Sequence, residues 1–84
     1  MLGWILAGLL GAAAVAAIVI TINGIINKKR IEEEMNNQNV KDVFVEAINK
    51  CDNVVRLKAL DDTIYEINGD GISDDIYEGQ YITI

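Results

Sequence analysis

The segment NGDGISDD, residues 68–75, is the stretch of this chain that comes nearest to a metal-binding loop. Carboxylate and amide oxygens suit Ca²⁺, and an EF-hand loop places them at its first, third and fifth positions, before a glycine. With Asn68, Asp70 and Gly71 at the third, fifth and sixth positions, the twelfth falls on Tyr77 instead of the glutamate that the loop needs. The segment therefore predicts an acidic hairpin, and no metal site is assigned.

Side chains that could carry out catalysis are scarce. The chain has no histidine, one cysteine (Cys51) and one serine (Ser73). Without histidine the usual general base near neutral pH is missing, and neither Cys51 nor Ser73 has an evident activating partner. Zinc would need more cysteine or histidine ligands than the chain contains. We therefore expect neither an enzyme nor a bound cofactor, and the single cysteine excludes a disulfide within the chain.

The net charge of −6 belongs entirely to the C-terminal half of the chain. Residues 40–84 contain ten acidic and four basic side chains, whereas the charges of residues 1–39 sum to zero. An acidic surface of this kind repels the phosphates of DNA and RNA. We therefore expect no nucleic-acid partner.

An uncharged apolar run opens the chain. Residues 1–22 would span about 33 Å as a helix, enough to cross a hydrocarbon core of about 30 Å. We predict an uncleaved transmembrane helix over residues 1–26, because the basic start of a signal peptide is missing. This makes the lipid bilayer a predicted partner and the cell membrane the predicted location.

The residues flanking that run predict its orientation. Nothing basic precedes it, whereas Lys28, Lys29 and Arg30 follow it. Because positive residues stay on the cytoplasmic side, the N-terminus is expected outside and the C-terminal module in the cytoplasm. Trp4 would then lie at the outer membrane interface, where indole rings are enriched.

Residues 7–17, AGLLGAAAVAA, are rich in small side chains, since eight of the eleven are Gly or Ala. Small residues four positions apart let membrane helices approach closely and pack through dispersion contacts. The pattern predicts helix packing, either between copies of this chain or against another membrane protein. The predicted helix-packing residues are Gly3, Ala7, Gly8, Gly11, Ala14 and Ala17.

A charged helical connector is predicted over residues 27–39. The basic triplet at 28–30 precedes the glutamate triplet at 32–34 by four residues, a spacing that favours a helix. Ile31 and Met35 lie on one side of that helix. The following NNQN is turn-prone and is expected to end it.

Residues 40–84 are predicted to form a small acidic β module. Residues 43–48, VFVEAI, fit either a helix face or a strand, and their β-branched and aromatic side chains favour the strand. Residues 54–60 and 64–67 alternate apolar and polar side chains as strands do, and residues 81–84 predict a last short strand. About five short strands predict a small antiparallel sheet or barrel.

Two connections within the module predict its turns. A three-residue connection at 61–63 would set Leu57 opposite Ile67 on a buried face. Asn-Gly at 68–69 is the strongest hairpin signal, since a type I′ turn needs positive φ at both positions. The ending IYEGQYITI, residues 76–84, resembles the last turn and strand of SH3-like or OB-like barrels, which implies a kind of fold and no activity.

Three functions are compatible with this organisation. The preferred one is a single-pass, membrane-anchored structural protein that self-associates through its Gly/Ala-rich helix and presents the β module. Small residues occupy more than one face of the predicted helix, as a ring or bundle of copies requires. The second is a membrane-anchored adaptor or regulatory subunit that binds a partner protein. The third is a small pore-forming, holin-like protein.

Overall fold

Residues 17–84, which are the part of the chain that the computed structural model describes, form a mixed β-sheet with a helix packed on it. In chain order the elements are β1 (Ala17–Thr21), β2 (Ile25–Ile26), α1 (Lys28–Asn37), β3 (Asp42–Asn49), β4 (Val54–Ala59), β5 (Ile64–Asn68), β6 (Gly71–Ile72) and β7 (Tyr81–Thr83). Hydrogen-bonded neighbours in the main sheet follow the order β1, β5, β4, β3, β7, and β2 pairs with β6 in a separate two-stranded sheet.

The predicted transmembrane helix over residues 1–26 is wrong in the part that the structure describes. Ala17–Thr21 is a strand that pairs in parallel with β5, and Ile25–Ile26 is a second strand. No helix within residues 17–84 is long and apolar enough to cross a membrane. The predicted class of a membrane helix with a β module and the predicted single-pass location are corrected on these grounds. Residues 1–16 lie outside the described residues.

Side-chain branching explains why residues 17–26 are extended. Residues 18–21 are Ile, Val, Ile and Thr, four consecutive β-branched residues that lose rotamer freedom in a helix and pack well on a pleated sheet. Gly24 follows at φ +109°, a conformation that breaks a helix and turns the chain into β2. Hydropathy is equally high for a buried strand and for a buried helix, so it does not distinguish the two.

The C-terminal half follows the predicted order of strands, with a different sheet type. Residues 43–48 lie within β3, as predicted, and β7 forms the last strand. The sheet has five strands but is mixed instead of antiparallel, because β1 joins it in parallel beside β5. Helix α1 connects β2 to β3 and lies within the predicted helical segment 27–39.

Helix α1 covers one face of the sheet, which we call the helix face. Ile31 and Met35 are fully buried against the sheet, as their predicted common side requires. Burying each such side chain stabilises the fold by about 1.5–3 kcal/mol. The core of the helix face comprises Ile22, Ile26, Ile31, Met35, Val43, Val45, Val55, Leu57, Ala59, Tyr65, Ile67, Ile76 and Ile82.

Helix α1 has the N-cap residue Asn27 and the C-cap residue Gln38, which Asn39 follows. At the start, the Asn27 side chain accepts a hydrogen bond from the Arg30 backbone N–H at 2.7 Å. At the end, Asn39 adopts a left-handed conformation, with φ 61°, and the Val40 N–H donates to the Met35 carbonyl at 2.9 Å. This is a Schellman cap, and it explains why the helix stops inside NNQN, as predicted.

The register between β4 and β5 differs from the predicted one by two residues. Leu57 lies opposite Tyr65 instead of Ile67, and Arg56 lies opposite Glu66. The turn lies one residue earlier than predicted, because the Ala59 N–H donates to the Thr63 carbonyl and the Asp62 N–H donates to the Ala59 carbonyl, with Asp62 itself at φ 69°. A shift of two residues leaves each side chain on its predicted face.

The predicted hairpin at Asn68-Gly69 is also wrong. Gly69 does not have a positive φ, and the chain bends at Asp70 and enters β6, which pairs in parallel with β2. Gly69 is needed for a different reason: a Cβ there would lie 2.7 Å from Ile26 Cγ1 and 2.9 Å from the Gly24 carbonyl oxygen. The residue allows two backbones to approach closely.

Candidate interaction surface

Strand β1 forms one edge of the sheet among the described residues, and we call its outer side the β1 edge. The Ile22 N–H donates to the Asn68 carbonyl at 2.9 Å, so even-numbered residues of this segment turn their backbone groups toward β5. Because backbone direction alternates along a strand, Ala17, Val19 and Thr21 turn their N–H and C=O groups outward. Within residues 17–84, these outward donors and acceptors have no hydrogen-bond partner, and they recur at regular spacing along the β1 edge.

Exposed apolar side chains accompany those backbone groups. Ile18 is 43% exposed and Val19 is 56% exposed, on opposite faces of the strand. Residues 1–27 contain no charged side chain, so β1 itself contains no charged residue. In natural sheets a lysine, a proline or a bulge in an edge strand prevents another chain from pairing with it. Strand β1 contains none of these features.

Strand β7 forms the other edge of the described sheet, and it differs from β1. It is three residues long and carries Tyr81 beside Phe44 of β3. The two rings lie 6.4 Å apart between centroids and are tilted by 56°, with Tyr81 57% and Phe44 38% exposed. This aromatic pair lies on the sheet face opposite α1, which we call the second face.

A polar cluster of Arg56, Glu46 and Glu66 lies in the middle of the second face. Arg56 lies opposite Glu66 across β4 and β5, and both residues are buried. A bulge between Val45 and Ala47 in β3 provides the extra residue, Glu46, whose Oε1 lies 3.1 Å from Arg56 Nε. The Arg56 Nε–H does not point at that oxygen and has no aligned acceptor among the described residues. The pair is therefore an ion pair without a well-formed hydrogen bond.

Burial changes the acidity of this cluster. It raises the pKa of the Glu66 carboxyl above its usual value of 4.5, and the nearby Arg56 charge lowers it by less. Desolvation therefore outweighs the attraction of the guanidinium at Glu66. Val54 and Ile64 lie on the same face of the same two strands and are buried, so the cluster stands between apolar neighbours.

Three shallow cavities are lined by described residues, and none includes a member of the polar cluster. The largest of the three, about 310 Å³, lies between the end of β3 and the loop that carries Tyr77. The others lie beside Val40, near the end of α1 and at the β4–β5 turn.

Within residues 17–84, no three metal-ligating side chains gather at one point. Asp70 accepts a hydrogen bond from the Gly24 N–H, and Asp75 accepts from the Lys28 N–H.

The predicted site residues fall in separate places. Ala17 begins β1 and lies opposite Ile64, whereas the basic triplet Lys28, Lys29 and Arg30 forms the first turn of α1. The two triplets offer three pairs of opposite charge four residues apart, all within the described residues, and one of them is formed, between Arg30 and Glu34 at 3.2 Å. The following lie outside the described residues, and their roles stay predictions: Gly3, Trp4, Ala7, Gly8, Gly11 and Ala14.

Sequence reasoning missed the β1 edge and the polar cluster. The signal for β1 was its run of β-branched residues, which the surrounding hydropathy concealed. The signal for the cluster was Arg56 in the middle of a strand, directly between the apolar residues Val55 and Leu57. Comparison with known proteins found no matching family model, no matching curated protein and no matching solved structure. The function of this chain is therefore inferred from its own residues.

Proposed function

We propose that this chain is a structural protein that acts as an assembly of its own copies and not as an enzyme. The observation that carries the proposal is the β1 edge, an apolar, uncharged edge strand with exposed side chains and outward backbone groups. A row of unpaired backbone groups is a template for another strand. Every copy of the chain brings the same template, so self-association needs no other component.

The rest of the described surface is consistent with a structural role. The polar cluster offsets two carboxylates with one guanidinium and contains no hydroxyl, thiol or imidazole group. The three cavities are shallow, and the Glu66 carboxyl, whose pKa burial raises, lines none of them. Cys51 is exposed in the β3–β4 turn, away from the cluster. These features support packing and assembly better than they support catalysis.

The mass of the purified 84-residue chain in solution tests this proposal directly. We expect sedimentation equilibrium to give a mass above that of one copy, 9.2 kDa, with the excess growing as the protein concentration increases. A mass of one copy throughout the accessible concentration range would contradict the proposal.

A second candidate function is the binding of a partner protein, and the exposed Phe44–Tyr81 pair favours it. Aromatic side chains supply much of the binding energy at protein interfaces, and here two of them lie side by side. For this function we expect an identified partner to copurify with the native chain and to be lost from the Phe44→Ser/Tyr81→Ser variant. Retention of that partner by the variant, with its fold intact by circular dichroism, would contradict this role.

A further inference from the structure

We propose that two copies of this chain pair their β1 strands antiparallel about Val19, so that the two sheets join into one continuous sheet. This inference rests on the proposed self-association and specifies the surface that performs it. It commits to a second copy of the chain as the occupant of the β1 edge. The reasons are the directions of the backbone groups, the pattern of side chains and the distribution of charge.

The backbone groups are self-complementary. Ala17, Val19 and Thr21 turn their N–H and C=O groups outward, and Val19 is the central residue of the five in β1. In an antiparallel pair centred on Val19, that residue faces its own copy, and Ala17 faces Thr21 of the second copy. These are hydrogen-bonded positions, and together they provide about six backbone hydrogen bonds. A two-fold axis through Val19 therefore satisfies every outward group of the strand.

The side chains match in the same register. On the helix face Ile18 would lie beside Ile20 of the second copy, and on the second face Val19 would lie beside Val19. β-branched residues pack well as cross-strand neighbours. A slip of one residue would put helix-face side chains against second-face side chains, so the apolar pattern specifies this register. Both copies of α1 would lie on the same side of the joined sheet.

The charge distribution favours this edge over the other. All charged side chains lie in residues 28–84, so β1 belongs to the uncharged part of a chain with net charge −6. Two copies that approach through β1 keep their acidic surfaces apart. Strand β7 is shorter and pairs directly with Asp42 and its neighbours in β3. Approach through β7 would bring the acidic module of each copy toward the other.

The predicted dimer is reversible. Five paired residues on each side bury less surface than the roughly 1,200 Å² of a typical stable interface. Such an interface is compatible with a concentration-dependent dimer and not with a permanent one. Disulfide trapping suits a complex of this kind, because it records the geometry of a short-lived encounter.

The two-fold axis gives the trapping experiment its geometry. In the proposed pair the two Val19 Cα atoms lie about 5.5 Å apart, within the range that a disulfide spans. The two Ile18 Cα atoms lie roughly 8 Å apart, because they are offset by two residues along the strand, and a disulfide cannot bridge them. In a Cys51→Ser background, we expect Val19→Cys to form a covalent dimer under mild oxidation and Ile18→Cys to remain largely monomeric.

A charge substitution separates this inference from the proposed function. Two lysines opposite each other at the axis repel, so Val19→Lys should raise the dimer dissociation constant roughly tenfold or more. Thr83→Lys places the same charge at an exposed position of the other edge and should leave the constant unchanged. A dimer that survives Val19→Lys, or equal crosslinking of Ile18→Cys and Val19→Cys, overturns the β1 pairing while self-association stands. A wild-type chain that is monomeric throughout overturns both.

Discussion

At the scale of single residues, the polar cluster is the least expected feature of the molecule. Burying a guanidinium and a carboxylate costs several kcal/mol for each ion, and their attraction repays that cost only when the geometry is good. Here the geometry is incomplete, because Arg56 Nε lacks an aligned acceptor among the described residues. The raised pKa of Glu66 reports the same imbalance, since burial outweighs the attraction of Arg56. The folded state therefore disfavours the ionised form of Glu66.

The raised pKa of Glu66 predicts that Glu66→Gln increases the free energy of unfolding by an amount that depends on pH. The folded-state pKa of Glu66 lies above its unfolded value of 4.5, so the protonated form is the one that the fold favours. Ionised Glu66 lowers the free energy of unfolding above the folded pKa, and this penalty disappears as the pH falls below 4.5. We expect Glu66→Gln to be more stable than the wild type at neutral pH and the difference to vanish in acid. Urea titrations at several pH values measure it.

Asp61→Asn is a control in which the expected change in stability has the opposite sign. Hydrogen bonds from the side chain and then the backbone of Thr63 lower the pKa of the Asp61 carboxyl below 3.8. Its ionised form therefore stabilises the fold above 3.8, and that contribution is lost as the pH falls through the folded pKa. Asp61→Asn should be less stable than the wild type at neutral pH and converge with it in acid. If both variants shift in the same direction, burial is not the cause at Glu66.

At the scale of elements, the β2–β6 pair depends on Gly69. A methyl group there would meet both Ile26 Cγ1 and the Gly24 carbonyl oxygen, and a backbone oxygen cannot rotate away. We expect Gly69→Ala to reduce the free energy of unfolding by about 1–3 kcal/mol, the usual cost of overpacking. Chemical denaturation of the variant and the wild type measures the difference.

Gly71→Ala is the matched control for that substitution. Its added methyl group would meet Ile25 Cδ1 at 2.8 Å, the far end of a side chain that is half exposed. Because that atom can move into solvent, we expect only a small change in stability. Equal losses of stability in the two variants would show that the Gly24 carbonyl oxygen does not limit how closely the backbone at Gly69 approaches it.

How far the sequence predicts these elements depends on what each pattern encodes. The β-branched run at 43–48 and the capped helix at 28–37 carry local signals, and both elements form where predicted. Strand β1 carries a conflicting signal, since its hydropathy fits a membrane helix and its branching fits a strand. Its parallel pairing with β5 comes from a part of the chain more than forty residues away, which no local pattern reports.

The candidate surface was even less predictable than the fold. Whether Val19 is exposed depends on β1 lying at an edge of the sheet, and strand order is a tertiary property. The polar cluster depends on the two-residue register difference that sets Arg56, and not Lys58, opposite Glu66. The Ala59–Asp62 turn sets the register between β4 and β5, and the assembly of the sheet places β1 at its edge. Alternation along each strand predicted only which face each side chain occupies.

At the scale of the whole molecule, charge and assembly surface are segregated along the chain. The uncharged edge precedes residue 28, and the charged residues that sum to −6 follow it. A net charge far from zero keeps copies apart in general, while the uncharged edge allows approach from one direction. The segregation therefore favours approach through β1 over approach through the acidic surface, as the proposed pairing requires.

This segregation predicts how salt affects the dimer. Two copies that each carry −6 repel at long range, and salt screens that repulsion as the Debye length falls from about 30 Å at 0.01 M to about 8 Å at 0.15 M. The β1 pairing itself contains no ion pair for salt to weaken. We expect the dimer dissociation constant of the wild-type chain, measured by sedimentation equilibrium, to fall as sodium chloride increases over this range. An interface held together by ion pairs would show the opposite trend, because salt weakens attraction between opposite charges, and a rising dissociation constant would place the contact away from β1.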